Sequence, residues 1–173
     1  MSSAMIEIRP AVAADVEQIL QFIRELARYE RLEHEVVATT ADLRESLFGA
    51  HPFAEAVFAC RQGEPVGFAL FFHNFSTFKG QPGIYLEDLY VKPHMRGQGI
   101  GRQLLRHLAR LAVERRCARL EWAVLEWNAA SIAFYRSLGA QPLQDWRIFR
   151  LTGEPLEQLA TREATAPLSL NER

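Results

Sequence analysis

Cysteine is scarce. The 173-residue chain holds two, Cys60 and Cys117, far apart and in no C-x-x-C arrangement. That excludes a disulfide framework and a cysteine-based zinc site, and suits reduced thiols in a cytoplasmic protein. Histidine pairing is lacking as well: His34, His51, His73, His94 and His107 show no H-x-x-H or H-x-x-x-H spacing, so no metal is expected. Neither sign of charge dominates, because 20 basic residues face 21 acidic ones for a formal charge of -1. A global field for nucleic acid or an anionic membrane is therefore missing, and recognition must be local. Long hydrophobic runs are absent too. The opening "MSSAMIEIRP" has no apolar signal core, and no stretch approaches spanning length.

What is present is enough apolar material, 49% of residues, for one domain with a substantial core. Residues 5–9 alternate like a short strand that Pro10 ends. "AADVEQILQFIRELARYE" carries Val16, Ile19, Leu20, Ile23, Leu26 and Ala27 at helical spacing, which predicts an amphipathic helix. "TTADLRESLFG" reads as a second helix between a threonine cap and Gly49. "AEAVFACRQGEPVGFALFFHNF" reads as two strands around a turn too short for a parallel crossover, hence an antiparallel hairpin. A further strand spans residues 84–91, and Ile100, Leu104, Leu105, Leu108, Leu111 and Ala112 then share one helical face. "ARLEWAVLEW" predicts a strand, "NAASIAFYRSLGA" a short helix between Asn128 and Gly139, and "WRIFRL" a last strand. The expected class is α/β (α+β), a mixed, mostly antiparallel central sheet flanked by helices, ordered β-α-α-β-β-β-α-β-α-β. A single domain is expected over residues 5–160, with a polar tail over 161–173.

The stretch "YLEDLYVKPHMRGQGIG" joins an acidic pair, Glu87 and Asp88, to a glycine-rich turn at a helix start. A helix amino terminus presents unpaired N–H groups and partial positive charge, so such a turn suits an anion, usually phosphate. Arg96 and Arg102 flank it and can add charge-assisted bonds. The glycines equally suit a tight turn with no ligand. A Walker loop is excluded, because Gly101 is followed by Arg102 and Gln103 rather than lysine and a hydroxyl residue. The dinucleotide fingerprint also fails, since Gly97, Gly99 and Gly101 are evenly spaced and the preceding strand carries two acids.

R-x-x-G-x-G, as Arg96, Gly99 and Gly101, resembles the coenzyme A pyrophosphate loop of the GNAT superfamily of N-acetyltransferases. "IRPAVAADVEQIL", "ELARYERLE", "GAHPF", "YLEDLYV", "RGQGIG", "EWNAASIAFYRSLGA" and "WRIFRL" are together similar to its spermidine/spermine (diamine) and thialysine branch, over about residues 5–160. The resemblance implies acetyl-CoA as cosubstrate, without a metal, and a homodimer. It implies that Leu89 N–H serves the acetyl oxygen, that Tyr90 and Val91 flank the pantetheine arm, and that Gly97, Gln98, Gly99, Ile100, Gly101 and Arg102 wrap the pyrophosphate. Asn128 and Ser131 join the cofactor side, and the spacing of Asn128, Ser131 and Tyr135 puts all three on one helical stripe.

Glu87 is expected as the base or water relay and Tyr135 as the general acid. Asp88, Tyr29, Glu30, Glu121, Trp122 and Asp145 are expected on the acceptor side, where acid beside aromatic suits an aliphatic amine. Adjacent strand residues point to opposite faces, so Glu87 and Asp88 share a site only if a bulge intervenes. Each of these residues also has an ordinary role, as strand-end charge, solvated charge or helix packing. The expected function is acetyl transfer to a primary amine of a small molecule (polyamine, thialysine or related amino acid) by direct attack in a ternary complex. A protein-lysine or antibiotic acetyltransferase, or a non-catalytic acyl-CoA sensor, stands as the alternative.

Overall fold

The computed structural model describes residues 5–161. They divide into two compact units, the first ending at Asn128 and the second beginning at Ala129. In the first unit, β1 (Ile6–Pro10), α1 (Val16–Glu30), α2 (Thr40–Phe48), β2 (Glu55–Arg61), β3 (Glu64–Ser76), β4 (Gln81–Val91), α3 (Ile100–Glu114) and β5 (Leu120–Trp122) follow in order. The five strands pair in sequence order, antiparallel except for β4 with β5. The mixed, mostly antiparallel sheet expected from the sequence is therefore present.

Strand alternation sorts the buried side chains into two layers. Ile19 and Phe22 of α1 pack with Phe58 and Cys60 of β2, Phe68 and Leu70 of β3, and Tyr90 of β4. The Phe22 ring lies 5.9 Å from Phe58, 5.5 Å from Phe68 and 5.5 Å from Tyr90, between centroids. These rings fix α1 across β4, just beyond the acidic pair. Ile100, Leu104, Leu105, Leu108 and Ala112 form the buried stripe of α3, which packs on the sheet. Its first turn consequently starts beside the end of β4.

Helix ends follow from local chemistry. Thr39 caps α2 by accepting from the Asp42 N–H at 3.2 Å, and the Asp42 carboxylate in turn accepts from the Thr39 N–H at 2.9 Å, a reciprocal cap. Arg9 and Asp15 form a two-pronged ion pair at 2.7 and 2.9 Å, tying β1 to the start of α1. Cys60 is buried and Cys117 half-buried, both as free thiols.

The second unit contains α4 (Ala129–Ser137) and α5 (Gly153–Thr161). The last strand expected at "WRIFRL" is not formed: residues 146–150 make no ladder. Alternation only makes a segment suitable for a sheet, and this unit offers no other strand to pair with among its described residues. Trp146, Ile148 and Phe149 remain 71, 78 and 92% exposed. Helix α5 occupies the stretch just before the expected tail, of which only Thr161 is described.

Candidate active site

The acidic pair lies on an irregular stretch of β4. Register runs Phe71 opposite Leu86, then Leu70 opposite Asp88, so Glu87 has no partner on β3. This is a bulge, and it changes which way the side chains face. Leu70 belongs to the layer beneath α1, which places Asp88 on the α1 face, whereas Leu86 opposite Phe71 lies on the other. Glu87 is the extra residue between them and is exposed. Burial first, then the negative charges of Glu87 and Glu30, push the Asp88 carboxyl from 3.8 up to about 7. Burial likewise raises Glu30 at the end of α1. Asp88 can thus exchange a proton near neutrality.

The bulge also sits where the sheet opens. Parallel pairing of β4 with β5 covers only Ile84 to Leu86, opposite Leu120 to Trp122, with the Ile84 N–H donating to Arg119 O at 3.0 Å. Beyond Leu86 the strand β5 has ended. The β4 edge past Asp88, carrying Leu89, Tyr90 and Val91, therefore has no strand beside it among the described residues. Backbone N–H groups on such an edge are ready donors.

The turn after β4 shows why it is rich in glycine. Gly97 and Gly99 have φ of 75° and 80°, the left-handed region that side chains strain to enter. A Cβ on either would meet nothing within 4 Å, so the backbone surface there is open. Gly99 precedes α3 without a capping side chain, and the Gln103 N–H is the first to bond within the helix, to Gly99 O at 3.0 Å. The amides of Ile100, Gly101 and Arg102 precede that ladder and form an anion cradle. Gln98 is held from the other side, accepting from Arg61 Nη1 at 3.1 Å and donating to His94 O at 3.3 Å. Open backbone, unpaired amides and arginines fit the pyrophosphate of a coenzyme A thioester.

Arg96 is fixed rather than loose. Its Nε donates to Val91 O at 3.0 Å, and its guanidinium lies 4.6 Å from the Tyr29 ring and 5.8 Å from the Tyr90 ring. Tyr90 donates to Glu25 Oε2 at 2.7 Å, and burial with that bond pushes its phenol up to about 12. The Tyr29 hydroxyl donates to Asn128 Oδ1 at 3.3 Å. In the first unit, then, the structure gathers Tyr29, Tyr90, Arg96 and Asn128, and sets Glu30 in electrostatic reach of Asp88.

The remaining residues are placed differently. Glu121 accepts from Asn74 Nδ2 at 2.8 Å and pairs with Arg119 at 2.8 Å, so its carboxylate already has partners within the fold. Trp122 is half-buried on β5. Ser131 and Tyr135 lie four residues apart on α4 of the second unit, half-buried, and Asp145 is exposed in that unit. Sequence reading missed Glu25 and the aromatic support of Arg96. The available signal was the i, i+4 spacing of Glu25 and Tyr29, which puts both on one stripe of α1. Among the described residues no cluster of three or more metal-ligating side chains occurs, and no helix is long and apolar enough to cross a membrane.

Comparison with known proteins gives consistent results. The sequence profile of the acetyltransferase (GNAT) family matches residues 16–140. A thialysine N-epsilon-acetyltransferase of Bos taurus is 42% identical over 91% of this chain and 98% of its own length. An L-ornithine N5-acetyltransferase of Arabidopsis thaliana is 30% identical over 88% of this chain and 86% of its own. Among solved structures, an integron cassette protein from the mobile metagenome of V. cholerae superposes with a TM-score of 0.77 at 29% identity, covering 91% of this chain and 98% of that one.

Proposed function

Because the chain belongs to the GNAT acetyltransferase family and is an N-acetyltransferase, we propose that it acetylates a primary amine of a small molecule, a polyamine, thialysine or related amino acid, by direct attack in a ternary complex. Relatives named for thialysine and ornithine acetylation support the acceptor class. The observation that carries the reading is a carboxyl near neutrality, Asp88, at the point where β4 parts from β5.

A primary ammonium with pKa of about 10.4 costs about 4–5 kcal/mol to deprotonate at pH 7. The acidic pair helps by holding the ammonium and receiving its proton, directly or through water. Sequence resemblance puts that task on Glu87, while the environment described above suits Asp88 to it. Asp88 takes the proton, and exposed Glu87 beside it raises its neighbour's basicity. Acetyl-CoA supplies an acetyl group already activated as a thioester. Leu89 N–H is the donor for charge developing on the acetyl oxygen. Tyr90 and Val91 flank the pantetheine arm. Arg96 and residues 97–102 hold the phosphates with Asn128 and Ser131, and the Tyr135 phenol returns a proton to the departing thiolate.

Residues 5–160 act as one catalytic domain in this reading, supported by a family match that crosses both compact units. The active form is a homodimer, for which the exposed Trp146, Ile148 and Phe149 provide apolar surface, and free cysteines suit the cytoplasm. An amine-library screen with acetyl-CoA tests the reading. Thiol release coupled to N-acetylated polyamine, thialysine or ornithine is expected; tight acetyl-CoA binding with no thiol release for any small amine would overturn it.

A further inference from the structure

The sequence assigns Tyr29 to the acceptor side, yet in the structure its contacts point to the cofactor side. Its ring carries the Arg96 guanidinium at 4.6 Å and its hydroxyl donates to Asn128 at 3.3 Å. Both contacted residues are ones that the proposed function places on acetyl-CoA. A third aromatic extends the arrangement: Trp127 lies 5.8 Å from the Tyr29 ring, and Arg31 lies 5.8 Å from Trp127. Two stacked-on rings, Trp127 and Tyr29, thus lie between two guanidinium groups, Arg31 at the end of α1 and Arg96 at the phosphate turn.

We propose that Tyr29 is a positioning residue for the pyrophosphate of the acyl donor, holding Arg96 beside the glycine turn and Asn128 at the end of its loop. The inference rests on the proposed function in taking coenzyme A as the ligand and Arg96 and Asn128 as its contacts. An arginine side chain is long and loses rotamer freedom when it binds phosphate. Resting the guanidinium on two rings and fixing its Nε to Val91 O removes much of that freedom beforehand, and leaves the Nη groups in position. No acceptor for those Nη groups occurs among the described residues. Glu25 contributes indirectly by anchoring Tyr90, one helical turn before Tyr29.

The test compares Tyr29→Leu and Tyr29→Phe by calorimetry with coenzyme A, and by steady-state kinetics with acetyl-CoA and with S-acetylpantetheine, a donor lacking the pyrophosphate. Loss of a cation–aromatic contact predicts that Tyr29→Leu weakens coenzyme A binding about 3- to 10-fold. Tyr29→Phe keeps the ring and should recover most of that loss. Acceptor KM should hold, and kcat/KM with S-acetylpantetheine should be the same for Tyr29→Leu and wild type. In an Arg96→Ala background most of the Tyr29→Leu effect should vanish, leaving only the part carried by the bond to Asn128. If Tyr29→Leu does not fold, Tyr29→Met, judged by a wild-type circular dichroism spectrum, takes its place. Unchanged coenzyme A affinity with a raised acceptor KM would overturn the proposal and return Tyr29 to the acceptor wall. Failure of wild type itself to bind coenzyme A would instead overturn the reading of the site.

Discussion

Replacing Asp88 by asparagine should make the protein more stable at alkaline pH while making it a poorer enzyme. The carboxyl titrates at about 7 in the folded chain against an ordinary 3.8, through burial and the charges of Glu87 and Glu30. Between those values the native state keeps a proton that the unfolded chain releases, so stability falls as pH rises from about 4 to about 7. A separation of about 3 pH units corresponds to at most about 4 kcal/mol. Solvent reaches part of the side chain, so about 1–3 kcal/mol is the expected size. Asparagine has no such proton to lose. Asp88→Asn should therefore match wild type near pH 4 and exceed it by about 1–3 kcal/mol at pH 8, or several degrees in Tm. Urea unfolding at a series of pH values reads this directly. An equal stability difference at pH 4 and pH 8 would refute the reasoning, because only a titrating group in a hostile site makes the gap grow with pH.

Gly99→Val places a β-branched residue at φ of 80° and redirects the first amides of α3; coenzyme A affinity measured by calorimetry should fall at least about 10-fold, with strain of about 1–3 kcal/mol. Tyr135→Phe should lower kcat strongly, about 10²-fold or more, with acetyl-CoA affinity nearly kept, and wild-type turnover would assign the proton to water or another group. Phe22→Ala empties the centre of the ring cluster that fixes α1 over β4, and denaturant unfolding should show a loss of about 3–5 kcal/mol.

The parts of the fold legible in the sequence are those governed by local rules. The periodicity of α1 and α3, the threonine cap of α2 and the hairpin of β2 and β3 all depend on residues near each other in the chain. The glycine turn was legible for the same reason, since R-x-x-G-x-G before a helix carries its own mechanism. Long-range pairing was less accessible. "WRIFRL" alternates well, yet a strand exists only with a partner, and its own unit offers none among the described residues. The bulge at Glu87 is a matter of register against β3, which no spacing within β4 reveals. Glu121 reads as a spare acid until Asn74 and Arg119 close on it, 47 residues away in the first case. The support of Arg96 by Tyr29 is likewise invisible until α1 is laid across the sheet.

The pH profile of kcat/KM for wild type, Asp88→Asn and Glu87→Gln, with a polyamine and with thialysine as separate acceptors, tests the central claim most directly. Activity of the wild type should rise with pH through about 7, the limb set by Asp88. Asp88→Asn should lose that limb and about 10²- to 10⁴-fold in rate near neutrality, less as pH approaches the amine's own pKa. Glu87→Gln should move the limb to lower pH, since removing a neighbouring negative charge makes Asp88 easier to ionise. Three superimposable profiles of equal rate would contradict the account, and leave the acidic pair at the opening of the sheet without a part in the chemistry.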